Sequence, residues 1–359
     1  MAVRSLAISL AVASVFLGAA CATPAAPAPT AHGSNAAPAT PAAVAPATPA
    51  PLTHLALVFS TTSATNSPMQ LGTDQGIWQA NGLEVELTHA PGNTGPAAVI
   101  SGQAPFMVGG CAESISAVAG GADFVLWIQP SNRMQYTLAG GPNVPDAASL
   151  RGKRLAVSRI GSSSHLSTKF ILKHLGYDPD ADVSYVQVGN TPDRVAALLS
   201  GSVDATILSS DEGSLIGNQP GMRLLVDMTK ENVPYCPQGV VALRQYVRDN
   251  ADVIRRFTRA FVEMTARFKQ NREEALAAIS HHLDEQDPAK LEAVWNAWNR
   301  LLVEKPYPEP QGVQFVLDEV SQSDPRARDI NLDQLIDRSW VRELDESGFI
   351  DQLYRAGGQ

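Results

Sequence analysis

Apolar and polar positions change period along this chain in a regular way. Leu155-Ala156-Val157 is a short apolar run that empties into Ser158-Arg159-Ile160-Gly161 and three serines, Ser162 to Ser164. An amphipathic stretch over 164–175 follows, so the sequence reads strand, polar loop, helix. The same unit recurs. Strands are expected over 55–59, 83–88, 105–108, 123–128, 154–158, 183–188 and 204–208. Helices are expected over 67–80, 95–101, 112–119, 164–175 and 192–200. Strands alternating with helices of this length predict an α/β protein built of βαβ units with mostly parallel sheets. From about 246 the pattern is nearly all helical, as in VIRRFTRAFVEMTARFKQ over 253–270.

Two stretches about a hundred residues apart read alike: VISGQAPFMVGGCAES over 99–114 and LLSGSVDATILSSDEG over 198–213. Each ends a helix with Ser-Gly, runs through an apolar strand and opens into small polar residues. Gly suits the left-handed C-terminal cap of a helix. Before each helix stands a similar device, Asn93-Thr94-Gly95-Pro96 and Asn190-Thr191-Pro192, with Thr as N-cap and Pro just inside the second. A duplicated unit implies two similar lobes.

In open α/β sheets ligands bind outside the carboxyl ends of the strands. Six polar loops fall there, and they supply the candidate ligand residues. The first lobe offers Thr61, Thr62 and Asn66, then Gly110, Cys111, Glu113 and Ser114, then Gln129. The second offers Ser158, Gly161, Ser162, Ser163 and Ser164, then Thr191, then Ser209, Asp211 and Glu212. Helix N-termini near Asn66, Ala112, Ser163 and Asp211 would converge on one solute. For the serines, plain helix capping is the alternative. Trp127, Tyr136 and Tyr235 are candidate apolar contacts, with core packing as the alternative for each.

The N-terminus changes the picture of where this happens. MAVR carries the single positive charge, SLAISLAVASVFLGAA is apolar, and small residues precede Cys21. This predicts an export signal over 1–21, too short to span a bilayer. Small residues before a Cys resemble the lipobox of bacterial lipoproteins, in which that Cys carries the lipid. Gly18 stands where Leu is usual, with Leu17 one residue back. Cys21 is thus the expected lipid anchor, and cleavage near Ala20 without lipid is the alternative. Residues 22–52 are Ala, Pro and Thr with almost no charge, an extended spacer.

The chain has 359 residues, 44% hydrophobic and 18% charged, enough for two domains. A formal net charge of −9 and no basic run argue against a nucleic-acid partner. There is no P-loop, HExxH, GxSxG or cysteine cluster, so no cofactor, metal or catalytic set is expected.

MQLGTDQGIWQANGLEVEL (69–87), ISGQAPFMVGG, SLRGKRLAVSRIGSSS, LLSGSVDATILSSDEG and VRDNADVIRRFTRAFVEMTARF stand in an order that resembles one family. It is the nitrate/sulfonate/thiamine-precursor (NMT1/THI5-like, SsuA-like) substrate-binding proteins of ABC transporters, with the periplasmic-binding-protein type II fold. The resemblance covers about 53–300. One departure is Pro105, where the family usually has Asp. The second unit keeps Asp204, read here as a strand-edge residue.

The resemblance implies a two-lobed clamshell. The first lobe would span 53–145, the second 146–238, and 239–359 would return to the first lobe as extra helices. It also implies an extracytoplasmic, monomeric protein that closes by a hinge over a small organic solute and delivers it to an ABC permease and ATPase. Sulfonate or nitrate would want Arg or Lys, and only Arg133 and Arg159 stand near the loops. Glu113, Asp211 and Glu212 fit a heterocyclic or amine-bearing solute better, unless they only cap helices. His165 is expected at the surface, with a ligand contact as the alternative, and His281-His282 are expected in solvent. Cys111 and Cys236 are expected as free thiols, because a bond across a hinge would hinder closure; an exported compartment permits the bond. A biosynthetic enzyme on the same fold, or a solute sensor, are the competing readings.

Overall fold

The computed structural model describes residues 51–90, 94–209, 212–213 and 220–356. The expected signal, the expected lipid-anchor position Cys21, nearly all of the expected spacer and Asp211 lie outside the described residues. The chain starts with β1 (Thr53–Phe59), α1 (Ser67–Asp74), α2 (Ile77–Ala80), β2 (Leu83–His89), α3 (Thr94–Ile100), β3 (Phe106–Gly110), α4 (Cys111–Ala119) and β4 (Phe124–Ile128). It continues with β5 (Tyr136–Gly140), β6 (Arg154–Val157), α5 (Ser163–His174), β7 (Ser184–Gln187), α6 (Thr191–Leu199), β8 (Ala205–Ser209), β9 (Arg223–Asp227) and β10 (Gln238–Leu243). The expected single helix over 67–80 is broken by a turn at Gln75-Gly76.

Two five-stranded sheets form, in the orders β2-β1-β3-β10-β4 and β7-β6-β8-β5-β9. The orders correspond strand for strand, so the repeat in the sequence is a repeat in topology. β1 pairs in parallel with β2 and β3, and β6 with β7 and β8. Each sheet also holds one antiparallel strand between its third and outermost strands. β10 runs against β3 and β4, and β5 against β8 and β9. Both inserted strands are the first after the chain crosses between lobes. β3, β4 and β8 are buried along their whole length, as two-sided strands must be. The expected boundary at 145 assigns 136–140 to the first lobe; β5 instead belongs to the second sheet.

The helix ends follow the chemistry read from the sequence. Gly102 and Gly201 follow α3 and α6 at φ 76° and 72°, the left-handed cap that Gly adopts without strain. Asn190, rather than Thr191, caps α6, its side chain accepting from Asp193 N at 3.1 Å. Asp204 accepts from Arg154 N at 2.9 Å and from its Nε at 3.0 Å, fixing the edge of β6 against β8.

The rest is helical: α7 (Arg244–Asp249), α8 (Ala251–Gln270), α9 (Arg272–Leu283), α10 (Pro288–Leu301), α11 (Pro310–Ser323), α12 (Leu332–Leu335), α13 (Ser339–Glu346) and α14 (Phe349–Ala356). α8 packs Phe257 among Trp78, Phe106 and Trp127 under the first sheet. These helices do not serve the first lobe alone, as the sequence led us to expect. α11 sets Phe315 edge-on to Phe170 of α5 at 4.8 Å and near Tyr235 at 5.8 Å, and Glu319 pairs with Lys173 at 3.1 Å. One apolar cluster therefore runs from Met107 and Ile115, through Val313 and Leu317, to Leu155 and Ile171 of the second lobe.

Candidate functional site

The carboxyl ends of both sheets face a cavity of about 410 Å³. Its wall comes from loops of both lobes and from the crossing segments. Ser60, Thr61, Thr62, Ser63 and Thr65 follow β1, and His89 ends β2. Gly110 and Glu113 stand at the β3–α4 junction. Ser158, Arg159, Ser163 and Ser164 follow β6, and Gly189, Asn190, Thr191, Asp193 and Arg194 follow β7. Ser209 ends β8 and Glu212 comes after it, and Gln135, Tyr136, Pro237 and Gln238 stand where the crossings enter β5 and β10.

Ten of the candidates from the polar loops meet on this wall: Thr61, Thr62, Gly110, Glu113, Ser158, Ser163, Ser164, Thr191, Ser209 and Glu212. Several of the other described candidates hold the wall from behind. Asn66 donates to Thr61 O at 2.6 Å and fixes the first loop. Ser114 donates to Gly110 O at 3.0 Å. Ser162 caps α5, accepting from His165 N at 3.4 Å, and follows Gly161 at φ 82°. Gln129 is buried where it donates to Ser131 O and Tyr235 O and accepts from Glu309 N, tying both crossings to the chain before α11. The Tyr235 hydroxyl bonds Ser167 at 2.7 Å, and Trp127 lies in the core. Of the three aromatic candidates, Tyr136 alone is on the wall; its burial beside Tyr235 and Glu113 raises its hydroxyl well above the usual tyrosine range.

The serines at the mouth of α5 do both things the sequence allows. Ser158 N donates to Ser164 Oγ at 2.9 Å, and the hydroxyls of Ser158, Ser162 and Ser164 bond one another at 2.8–3.0 Å. Ser158, Ser163 and Ser164 also face the cavity.

Arg194 was missed. On an amphipathic helix an Arg reads as solvent-facing, yet this one is 6% exposed. Its guanidinium donates to Gly189 O at 2.8 Å, Thr191 Oγ1 at 2.9 Å and Ile207 O at 3.3 Å. Burial lowers its pKa, against the pull of Glu212, Tyr136 and Asp193. Arg159, which the sequence places near the loops, is also on the wall, so the cavity carries one cation more than the sequence reading counted, and both stand among Glu113, Asp193 and Glu212. Arg133 lies in the crossing, bridged to Pro234.

Cys111 and Cys236 are joined by a disulfide, with Cα atoms 5.8 Å apart. The expectation of free thiols fails for a topological reason. β10 returns to the first sheet with Gln238 opposite Gly110, so the residues next to that pair also meet. The bond joins the β3–α4 junction to the segment entering β10, both on the first sheet, and does not span the two sheets.

Two histidine expectations also change. His165 is buried, edge-on to Tyr185 at 4.5 Å, and its Nδ1 accepts from Gly161 N at 3.1 Å. Burial, helped by Lys169 and opposed by Asp180, lowers its pKa to about 4. The unfolded chain takes up this proton near pH 6.5. The stability from His165 is thus present above pH 6.5 and is lost as the pH falls toward 4. A His165→Asn variant should show a flatter fall in melting temperature from pH 6.5 to 4 than the wild type; parallel curves would refute the assignment. His282 is half-buried against Ser63 O at 3.2 Å, while His281 is exposed beside Asp74.

Among the described residues no cluster of His, Cys, Asp or Glu could hold a metal ion, and no helix is long and apolar enough to cross a membrane. The pattern of the family described as NMT1/THI5 like matches residues 64–275. No curated protein matches the chain in sequence. Solved structures do. A protein from Bordetella bronchiseptica RB50 is 21% identical with a TM-score of 0.71, over 82% of this chain and 97% of its own. The alkanesulfonate-binding protein SsuA from Xanthomonas axonopodis pv. citri, bound to MOPS, is 16% identical with a TM-score of 0.67, over 80% and 99%. The periplasmic nitrate-binding protein NrtA from Synechocystis PCC 6803 is 15% identical with a TM-score of 0.69, over 84% and 91%. At these identities the likeness is one of fold.

Proposed function

The chain belongs to the NMT1/THI5-like family, and from that membership we propose that it is an extracytoplasmic substrate-binding protein. It captures a small organic solute between its two lobes and delivers it to an ABC permease and ATPase. The observation that carries this reading is the polar cavity of about 410 Å³ between the carboxyl ends of two sheets of matching topology. That volume suits a small molecule. Hydroxyls and amides supply most of the wall's polar groups, each giving about 0.5–1.5 kcal/mol net per hydrogen bond, and Tyr136 adds an apolar surface. The mixed charges suit a solute with its own polar groups, heterocyclic or amine-bearing, with sulfonate-like solutes as the other class to test. Cys21 is the proposed lipid anchor, and the Pro-rich segment the spacer that holds a monomer off the membrane.

A thermal-shift screen of the full chain against amines, heterocycles, sulfonates, nitrate and carboxylates tests this. At a hundred times its Kd a true solute stabilises by about 2.7 kcal/mol. A shift confined to one chemical class supports the reading. No shift anywhere, with turnover of any compound, would replace it with an enzyme.

A further inference from the structure

We propose that Glu113 selects the charge of the solute: its carboxylate latches one lobe to the other and keeps anionic groups off the first turn of α5. The inference rests on the solute-binding reading of the same cavity. Glu113 comes from α4 in the first lobe, while its partners come from α5 in the second. Its Oε1 accepts from Ser163 N at 3.1 Å and its Oε2 from Ser163 Oγ at 2.6 Å. Glu113 is 9% exposed and sits on the cavity wall. Its seat is close-fitting: a Cβ on Gly110 would lie 2.9 Å from the carboxylate carbon, against the oxygens and Ser163 Oγ.

The chemistry follows from what a helix N-terminus offers. The Ser163 N–H has no partner within its own helix, because it stands in the first turn. With the Ser163 hydroxyl it makes a two-pronged donor backed by the positive end of the helix dipole. A sulfonate or carboxylate head group would match it. Here the protein's own carboxylate already takes both donors, so a solute anion would have to displace a buried, doubly bonded group or lie against it. A neutral or cationic group meets no such obstacle. The same two bonds join the lobes, and no solute atom is needed to complete them.

Two measurements on the full chain test this, and neither needs the native solute. The first is amide exchange by mass spectrometry over residues 158–168. Removing the acceptor in Glu113→Ala should speed exchange of the Ser163 amide about tenfold, with α8 unchanged as the internal control. The second is calorimetric titration with methanesulfonate. Glu113→Ala should bind it at least about tenfold more tightly than the wild type, the size of one charge-assisted hydrogen bond regained. Glu113→Gln, which keeps the shape and loses the charge, should fall between; it also serves if the Ala variant folds poorly. Wild-type binding as tight as that of Glu113→Ala overturns the proposal. So does an unchanged Ser163 amide, or a Glu113→Ala protein that gains no affinity. Failure of the receptor reading would look different: no solute in the screen would shift the wild type, while both comparisons stay readable.

Discussion

Breaking the Cys111–Cys236 bond is expected to lower the free energy of unfolding by about 5 kcal/mol. The bond joins residues 125 apart in sequence, and the loop it closes contains the whole second sheet. In the chain-entropy account the unfolded state loses more freedom the longer the closed loop, so this is near the upper end of what one disulfide gives. The β3–β10 register brings the two residues together in the folded protein. Urea unfolding of a Cys111→Ala/Cys236→Ala variant, beside the wild type with and without reductant, measures the effect. At about 2–4 °C per kcal/mol for chains of somewhat smaller size, the melting temperature should fall by on the order of 10 °C. Equal stability of oxidised and reduced protein would mean that the bond does not constrain the unfolded chain.

The same register explains much of what the sequence concealed. Elements whose partners lie close along the chain were legible: strands such as Phe106-Met107-Val108 and Ala205-Thr206-Ile207-Leu208, the Ser-Gly helix ends, and the Asn190 device before α6. β5, β9 and β10 were not, though each is a short apolar run. β10 pairs with β3 and β4, which precede the whole second lobe in sequence, and β5 pairs with β8 and β9 much later in the chain; no local pattern records either pairing. The disulfide was hidden with them, since its two halves meet only once β10 is in place. Arg194 was hidden differently. Its helix reads as amphipathic, but Arg194 lies on the buried side of α6 with Leu198, in the turn that lines the cavity. The polar loops at the strand ends were legible because a rule of open sheets places ligands there. Which of their side chains face the cavity and which brace it from behind depended on rotamers and on the crossing segments. Asn66 and Gln129 are indistinguishable from wall residues until their hydrogen bonds to Thr61 O and Tyr235 O are known.

Trp127→Ala should cost about 3–5 kcal/mol of stability and leave solute affinity unchanged. Trp127 lies on β4, alternating with Leu126 so that the two point into different apolar clusters. Its ring is fully buried, edge-on to Phe106 at 5.7 Å and to Phe257 at 6.2 Å. Its Nε1 donates to Thr258 Oγ1 at 3.2 Å, which fastens α8 to the sheet. Truncation leaves a large hole among rigid aromatic neighbours that cannot collapse to fill it, which places the cost in the upper range for core residues. Thr258 keeps its own bond to Ile254 O at 2.7 Å, so no buried hydroxyl is orphaned to add to the loss. Trp127→Phe retains most of the packing and should cost clearly less. Denaturant midpoints for the three proteins give the stabilities, and titration with whichever solute the screen identifies gives the affinities, measured where each protein is folded. The two outcomes assign the residue. A large stability loss with an unchanged Kd makes Trp127 a support of the first lobe, in keeping with its absence from the cavity wall. A weakened Kd with stability intact would make it a solute contact and would require a cavity that reaches through β4, which this packing does not allow.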